Sequence, residues 1–365
     1  MPGTEPAERT RKNRRHSPDS VPARRLASFL AVCLAAVLAA CTAGRMPPGP
    51  GPTEPRLTDD RLIAPDGMEL ALRSWLPEEE PKAVLLALHG FNDYSRAFKA
   101  PGEWWAARGI ATYAYDQRGF GEAPYRGLWA GSETLVGDLS TAARLLRARH
   151  PDTPLYLLGD SMGGAVVLVA MTGADPPEAD GAILVAPAVW ARSQMPFYMR
   201  AALWVAARLV PWAEVSGKGL DIQASDNIER LREMGRDPLF IKRTRIGTLE
   251  GLTDLMGDAL DSAGRLQAPS LLLYGEKDEI IPRKPTLALW RHLPNGPDAQ
   301  QRPALYADGW HMLLQDLGAA RVLADIAAWI DHPRRPLPSG ADRRALNALA
   351  NGEPQTSRSP SKPAK

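Results

Sequence analysis

The segment LYLLGDSMGGAVVLVAM, residues 155–171, decides the fold of this chain. Four apolar residues at 155–158 predict a buried strand, and the apolar run from residue 165 predicts a helix soon after it. The turn between them carries the pattern Gly-x-Ser-x-Gly, with Ser161 at its centre. Because a serine on a sharp strand-to-helix turn projects its oxygen above the sheet, the segment predicts that Ser161 is a nucleophile.

Further apolar runs on both sides of this segment extend the prediction to a whole sheet. They are bounded by turn residues and occupy residues 83–88, 110–115, 182–185, 270–274 and 303–306. Continuous rather than alternating hydrophobicity indicates strands covered on both faces, as in a parallel sheet. Amphipathic stretches at 134–149 and 318–330 predict helices, and Asp66-Gly67 predicts a hairpin at the start. The sequence therefore predicts an α/β fold with a mostly parallel sheet flanked by helices.

One stretch interrupts the alternation of strands and helices. Residues 189–266 show no strand signal, and a structureless loop of that length is uncommon in a compact domain. We expect a helical cap there, inserted into a catalytic domain that spans residues 57–332. The apolar segment 195–215 of this cap suits an acyl-chain pocket with docking to a lipid surface, or simple packing of the cap onto the sheet.

A serine nucleophile needs a base and a group that orients the base. Among six histidines, His311 follows the last predicted strand, at the sheet edge where ligands bind. Asp278 follows the preceding strand and falls between Ser161 and His311 in chain order, the order expected for this architecture. Its carboxylate would hold the imidazole in the useful tautomer, although Glu276 and Glu279 compete for this role. The predicted catalytic residues are therefore Ser161, Asp278 and His311.

The oxyanion that forms during acyl transfer needs two N–H donors. The backbone N–H of Met162 lies at the start of the predicted helix, where partial positive charge accumulates. The second predicted donor is the N–H of Phe91, in the loop after an early strand, where Gly90 allows the loop to bend. We expect the ring of His89 to brace this loop by hydrogen bonds rather than to transfer protons.

The order of these motifs carries a family resemblance. They are HGF at 89–91, YDQRGFG at 115–121, GDSMG at 159–163, GEKD at 275–278 and GWH at 309–311. The chain resembles an α/β-hydrolase of the monoglyceride lipase and lysophospholipase group, related to the serine aminopeptidase S33-like hydrolases, over about residues 57–332. The group usually has a serine after the second glycine of GFG, whereas this chain has Glu122-Ala123.

The resemblance implies hydrolysis of carboxylic esters, above all those of monoacylglycerols or lysophospholipids, through a Ser-His-Asp acyl-enzyme mechanism without a cofactor. An aminopeptidase or amidase that uses the same triad is one alternative. A non-catalytic, lipid-anchored binding protein on the same fold is another, against which the complete triad argues. The sequence shows no cluster of metal ligands, so no metal is expected.

The N-terminal residues predict a lipoprotein-type signal peptide over 1–40. A basic leader at 1–25 precedes an uncharged apolar run at 26–40, whose small residues end directly before Cys41. This order resembles the lipobox of bacterial lipoproteins, which implies lipidation of Cys41; an uncleaved signal anchor is the alternative. We expect residues 41–56, which are rich in proline, to form an extended tether.

The anchor would place the protein in the cell envelope, attached to a bacterial membrane through lipid at Cys41. Thr42 is not the aspartate associated with retention in the inner membrane, which favours the outer membrane on its periplasmic side.

The charge of the chain is unevenly distributed. The formal net charge of +2 combines +4 over residues 1–25 with +5 over 333–365, and residues 26–40 carry none, which leaves −7 over residues 41–332. The small net charge of the whole chain suggests no strong nucleic-acid partner, and the division shows that the catalytic domain is acidic. The Pro-, Ser- and Arg-rich residues 333–365 predict a disordered basic tail. The sequence leaves the oligomeric state open.

Overall fold

The computed structural model describes residue 28, residues 46–294 and residues 299–350. The chain divides into two units, residues 1–43 and residues 44–365, and the features below belong to the second. The predicted signal peptide, residue 28 apart, lies outside the described residues, and so does Cys41. Within the described ranges, no helix is long and apolar enough to cross a membrane.

Eleven strands occur in the described part of the chain. They are β1 (Arg56–Leu57), β2 (Arg61–Ile63), β3 (Glu69–Trp75), β4 (Ala83–Leu88), β5 (Ile110–Tyr115), β6 (Leu155–Asp160), β7 (Gly181–Val185), β8 (Glu214–Val215), β9 (Thr244–Arg245), β10 (Ser270–Gly275) and β11 (Gln301–Tyr306). Nine of them form one sheet in the order β1-β2-β3-β5-β4-β6-β7-β10-β11, and β8 pairs with β9 separately. The pairs from β5 to β11 are parallel, and those from β1 to β5 are antiparallel.

Nine α-helices of the described residues accompany these strands. They are α1 (Lys99–Ala106), α2 (Ser132–Arg149), α3 (Met162–Met171), α4 (Phe197–Leu209), α5 (Ile228–Arg236), α6 (Ile246–Ser262), α7 (Arg283–His292), α8 (Ala319–Asp331) and α9 (Ala341–Ala350). Side chains of α2, α3, α6 and α7 bury one face of the sheet, and those of α1 and α8 bury the other. The predicted α/β architecture with a mostly parallel, doubly covered sheet is therefore confirmed.

The two cores that cover the sheet explain why strands such as β4 are apolar throughout. All six residues of β4 are buried. Val84, Leu86 and Leu88 join the core on one face, whereas Ala83, Leu85 and Ala87 join the core on the other. Successive side chains of a strand point to opposite faces, so a strand between two helical layers needs no polar position.

The predicted cap is shorter than residues 189–266. Leu255 and Ala259 of α6 are fully buried in the same core as Val166 of α3. This last helix therefore belongs to the layer that flanks the sheet. The sequence showed only a long stretch without strands, and a helix of a cap cannot be distinguished from a flanking helix by periodicity alone.

Residues 46–55 run along the domain, which corrects the prediction of a free tether for this segment. The N–H of Gly51 donates to the carbonyl of Asp66, and the N–H of Thr53 donates to the carbonyl of Pro65, both at 2.9 Å. Proline favours an extended backbone, and an extended backbone presents its remaining N–H groups to a neighbouring turn as readily as to water.

Residues 333–350 are ordered against the domain, which corrects the prediction of a disordered tail from residue 333. Helix α9 packs beside β11, with Ala341 and Ala345 buried. The N–H of Ser339 donates to the carboxyl group of Asp325 on α8 at 3.0 Å. Composition did not predict this helix, because small buried side chains and hydrogen bonds to a buried carboxyl group hold it beside β11.

We expect Asp325→Ala to lower the free energy of unfolding by about 2–4 kcal/mol. Asp325 is fully buried and accepts hydrogen bonds from the hydroxyls of Tyr306, at 2.8 Å, and Ser339. Its loss leaves both donors without this partner. Urea denaturation measures the change, with Asp331→Ala as control, because Asp331 on the same helix forms a half-exposed pair with Lys82. That pair should contribute less than about 1 kcal/mol, and equal losses in the two variants would contradict the prediction.

Candidate active site

The turn between β6 and α3 holds Ser161 in a strained conformation. Its φ of 51° lies in the left-handed region, and its ψ is −111°. Such backbone costs about 1–3 kcal/mol and persists only where the surroundings impose it. Close packing does so here: a β-carbon at Gly159 would overlap the carbonyl of Gly163, and one at Gly163 would overlap the carbonyl of Leu88. The glycines thus let strand and helix approach so closely that the serine projects from the turn.

A chain of hydrogen bonds joins three side chains at the carboxyl ends of the central strands. The Oγ of Ser161 lies 3.0 Å from Nε2 of His311. Nδ1 of the same ring lies 2.8 Å from Oδ2 of Asp278. With a neutral imidazole protonated at Nδ1, the ring donates to the carboxylate and accepts the serine proton at Nε2. The structure thus brings the three predicted residues together in an arrangement that can remove the proton from Ser161.

The loop after β10 separates Asp278 from the two glutamates that compete with it in the sequence. The second oxygen of Asp278 accepts the N–H groups of Ile280 and Ile281 at 2.8 and 2.9 Å, and its side chain is fully buried. Glu276 and Glu279 are both exposed. Of the three carboxylates in this loop, Asp278 is the one hydrogen-bonded to the imidazole.

The electrostatic surroundings raise the pKa of His311 above its ordinary value. Burial by itself lowers this pKa because it disfavours the charged ring. The negative charge and the hydrogen bond of Asp278 outweigh burial, and the carboxyl groups of Asp160 and Asp316 act in the same direction. The site therefore stabilises the imidazolium that forms when His311 takes up a proton.

The ring of His89 holds the loop after β4 in place. Its Nδ1 donates to the carbonyl of Gly90 at 2.8 Å, and its Nε2 accepts the N–H of Gln117 at 2.9 Å. The side-chain amide of Gln117 returns a bond of 2.8 Å to the carbonyl of His89. Burial lowers the pKa of His89, so the ring stays neutral and both nitrogens serve the loop. His89 lies in the position expected for a brace and is not bonded to Ser161.

The two predicted oxyanion donors flank the serine. Gly90 lies so close that a β-carbon on it would stand 3.3 Å from Cβ of Ser161, and Phe91 follows directly. Met162 is the first residue of α3. Within the described part of the chain, the backbone N–H groups of Phe91 and Met162 donate to no other main-chain group. Both are therefore available to a substrate oxygen.

Within the described residues, no group of three His, Cys, Asp or Glu side chains could hold a metal ion.

Known proteins resemble this chain in sequence. A family model described as serine aminopeptidase, S33, matches residues 79–318. The chain belongs to this family. A monoacylglycerol lipase of Mycolicibacterium smegmatis is 26% identical in an alignment 274 residues long that covers 72% of this chain and 93% of that protein. A monoglyceride lipase of Rattus norvegicus is 25% identical in an alignment 279 residues long that covers 74% of this chain and 89% of that protein.

Solved structures share the fold of this S33 family member. A soluble variant of monoglyceride lipase from Saccharomyces cerevisiae superposes with a TM-score of 0.63 at 21% identity, over 78% of this chain and 99% of that one. Monoacylglycerol lipase of Paleococcus ferrophilus gives 0.59 at 24% identity, over 73% and 100%. These structures show that the protein has the α/β-hydrolase fold. Membership of the S33 family and the monoacylglycerol lipase relatives support a serine carboxylic-ester hydrolase.

One residue of the site was missed by sequence reasoning in this S33 enzyme. Asp160, the last residue of β6, is buried directly before Ser161, and its Oδ1 has no hydrogen-bond partner in the structure. Burial is the main cause that raises its pKa to about 7. A carboxylate at the end of an otherwise apolar strand was the signal in the sequence that could have found it.

Glu122, which stands where the related group usually has a serine, has a local role in the structure. The Glu122 carboxylate forms an ion pair with Arg73. The backbone N–H of Glu122 donates to the carboxylate of Asp116 at 2.8 Å. Arg73 also reaches Asp116, at 3.2 Å. The glutamate therefore joins the polar cluster that fixes the turn after β5.

Proposed function

We propose that this protein hydrolyses monoacylglycerols or lysophospholipids through an acyl-enzyme on Ser161. The observation that carries the proposal is the unbroken hydrogen-bond chain from Asp278 through His311 to Ser161. In this mechanism His311 removes the proton from Ser161 as the hydroxyl oxygen attacks the ester carbonyl. The carboxylate of Asp278 keeps the proton of the ring on Nδ1 and stabilises the resulting imidazolium.

The negative charge of the tetrahedral intermediate would be held by the N–H groups of Phe91 and Met162. The helix that starts at Met162 adds the partial positive charge of its N-terminus. When the intermediate collapses, His311 gives its proton to the departing alcohol. It then activates a water molecule that attacks the acyl carbon, and Ser161 regains its proton as the acid leaves.

The exposed apolar side chains of the cap support the proposal of a lipid substrate. Helix α4 buries little of its apolar surface: Phe197, Trp204 and Leu209 are 77%, 53% and 66% exposed. Simple packing onto the sheet therefore does not account for these side chains, whereas contact with an acyl chain or a lipid surface does. The monoacylglycerol and monoglyceride lipases among the relatives support the same substrate class.

The aminopeptidase alternative receives no support from the acidic residues of the cap. Glu229 pairs with Arg232 at 3.6 Å, and Glu233 pairs with Arg230 at 3.3 Å. Both carboxylates are thus engaged along the exposed side of α5 and do not form a free site for a substrate amine.

A substrate panel on the purified full-length protein in detergent tests the proposal. We expect kcat/KM for a monoacylglycerol or a lysophospholipid to exceed that for aminoacyl anilides by at least about 100-fold, because the best lipid substrates would fill the apolar cap as well as the triad. The measurements are fatty-acid release and anilide absorbance at the same enzyme concentration. Faster turnover of the anilides would overturn the ester assignment in favour of an aminopeptidase.

The location of the enzyme is a separate proposal. The basic leader, the apolar run and the small residues before Cys41 support lipid attachment at that cysteine and a place on the periplasmic face of the outer membrane. An anchor of this kind would hold the apolar surface of α4 near its lipid substrate.

A further inference from the structure

The carboxyl group of Asp160 occupies an unusual environment. It precedes Ser161 in the chain, is buried, and leaves Oδ1 without a hydrogen-bond partner. Its Oδ2 lies 3.8 Å from the point where a β-carbon on Gly90 would stand, on the side of that residue that also faces Ser161. The carboxyl group is therefore next to the reacting serine and to the loop that carries Phe91. Buried carboxyl groups without partners are rare because an ionised oxygen loses its hydration without compensation.

The charged groups around Asp160 come from three other loops at the carboxyl ends of the strands. Asp93 follows Gly90 in the loop after β4, Asp278 lies in the loop after β10, and His311 and Asp316 lie in the loop after β11. Burial, Asp93, Asp278 and Asp316 all oppose ionisation of Asp160, whereas a protonated His311 favours it. The remaining titratable ring nearby, that of His89, is neutral and turned toward Gln117.

We propose that Asp160 is a positioning residue for proton transfer, whose buried negative charge holds the proton on His311 and thereby sets the lower pH limit of ester hydrolysis. This inference rests on the proposed roles of Ser161 and His311. Asp160 and Ser161 both lie against Gly90, and the Oγ of Ser161 is 3.0 Å from Nε2 of His311, so an imidazolium on His311 forms within the electric field of the buried carboxylate. The pair therefore loses its first proton mainly from Asp160, because the resulting carboxylate is stabilised by the protonated ring.

The consequence for the reaction follows from counting protons. After the first proton has left, His311 is still protonated at Nε2 and cannot accept the proton of Ser161. The second proton leaves from His311 at a higher pH, because the negative charge of Asp160 now holds it. Only then does the ring act as a base. Asp160 thus delays the onset of activity with rising pH, and its removal should allow His311 to act at lower pH.

The test compares the pH dependence of kcat/KM for a soluble ester in the wild type and in Asp160→Asn. We expect the acid-side midpoint to fall by about 0.5 to 1 in pH in the variant, which makes the rate about three- to tenfold higher relative to its plateau at a pH well below both midpoints. A second probe is the rate of covalent inactivation by a neutral fluorophosphonate, which depends on the same ionisation of His311 and should shift equally.

Three further variants separate the charge of Asp160 from its shape. Asp160→Ala also removes the charge and should shift the midpoint in the same direction, which keeps the test valid if the amide variant folds poorly. Asp160→Glu retains the charge and should keep the midpoint near that of the wild type. Asp93→Asn controls for a general loss of negative charge near the site. Asp93 acts on Asp160 but is not among the principal influences on His311, so we expect its shift to be smaller than that of Asp160→Asn.

The outcomes distinguish this inference from the proposed function. A wild-type protein that neither hydrolyses esters nor reacts with the fluorophosphonate would overturn the proposed function itself. A reactive wild type whose acid-side midpoint is the same as that of Asp160→Asn and Asp160→Ala would overturn the role of Asp160 alone. A shift of equal size in Asp93→Asn would also overturn it, because the effect would then not be specific to the residue before the nucleophile.

Discussion

Replacement of Ser161 by alanine is expected to lower kcat for ester hydrolysis by about 10⁴- to 10⁶-fold, since removal of a nucleophile leaves only the contributions of the oxyanion donors and substrate binding. The change deletes one oxygen atom and leaves the β-carbon that the turn already accommodates. The fold should therefore be unaffected. Fatty-acid release under single-turnover and steady-state conditions measures the loss, and circular dichroism verifies the fold.

The same variant should no longer be labelled by a fluorophosphonate probe. Ser216→Ala is the matched control, because Ser216 is an exposed serine in the loop after β8. It should retain both labelling and activity. Labelling of Ser161→Ala at the wild-type rate would show that another residue is the nucleophile, and the assignment of the site would be wrong.

Replacement of Asp278 by asparagine should lower kcat by about 10³- to 10⁴-fold with little change in fold. The amide has the shape of the carboxyl group and can still accept from the N–H groups of Ile280 and Ile281. Its own NH₂ group, however, would face Nδ1 of His311 and favour the tautomer with the proton on Nε2. In that tautomer the ring cannot accept the proton of Ser161.

The two neighbouring glutamates supply the controls for this experiment. Glu276→Gln and Glu279→Gln change the same loop by the same chemistry at exposed positions. We expect each to retain at least about a third of the wild-type kcat, because substitutions at exposed positions should not perturb the hydrogen bond between Asp278 and His311. A loss of 10³-fold in either glutamine variant, with Asp278→Asn active, would transfer the orienting role to that glutamate.

The sequence predicted the elements near the nucleophile well because each depends on local rules. An apolar run, a turn with three glycines and a second apolar run permit one arrangement of strand and helix around Ser161. Chain order and the position after a strand likewise indicated His311 and Asp278. The sequence favoured Asp278 over Glu276 and Glu279, but residues 276, 278 and 279 are nearly adjacent, and only the path of the loop shows which side chain turns inward.

The ends of the domain were predicted less well, and for a different reason. Residues 46–55 and 333–350 contain few large apolar side chains, so composition assigned them to a tether and a tail. Their order depends on a few hydrogen bonds to residues outside each segment, such as those to the carbonyls of Pro65 and Asp66 for the first and to the carboxyl group of Asp325 for the second. A residue far along the chain that supplies one buried hydrogen bond leaves no periodic signal.

The sequence by itself determined the fold class, the sharp turn that carries Ser161 and the chemistry expected of this serine and its partners, because hydrophobic periodicity and short glycine motifs act within a few residues. Tertiary structure alone decided the distances of 3.0 and 2.8 Å that link Ser161, His311 and Asp278. It alone also revealed the buried carboxyl group of Asp160 beside them. Burial and electric fields depend on atoms brought together from four separate loops, and no local pattern in the chain encodes their sum.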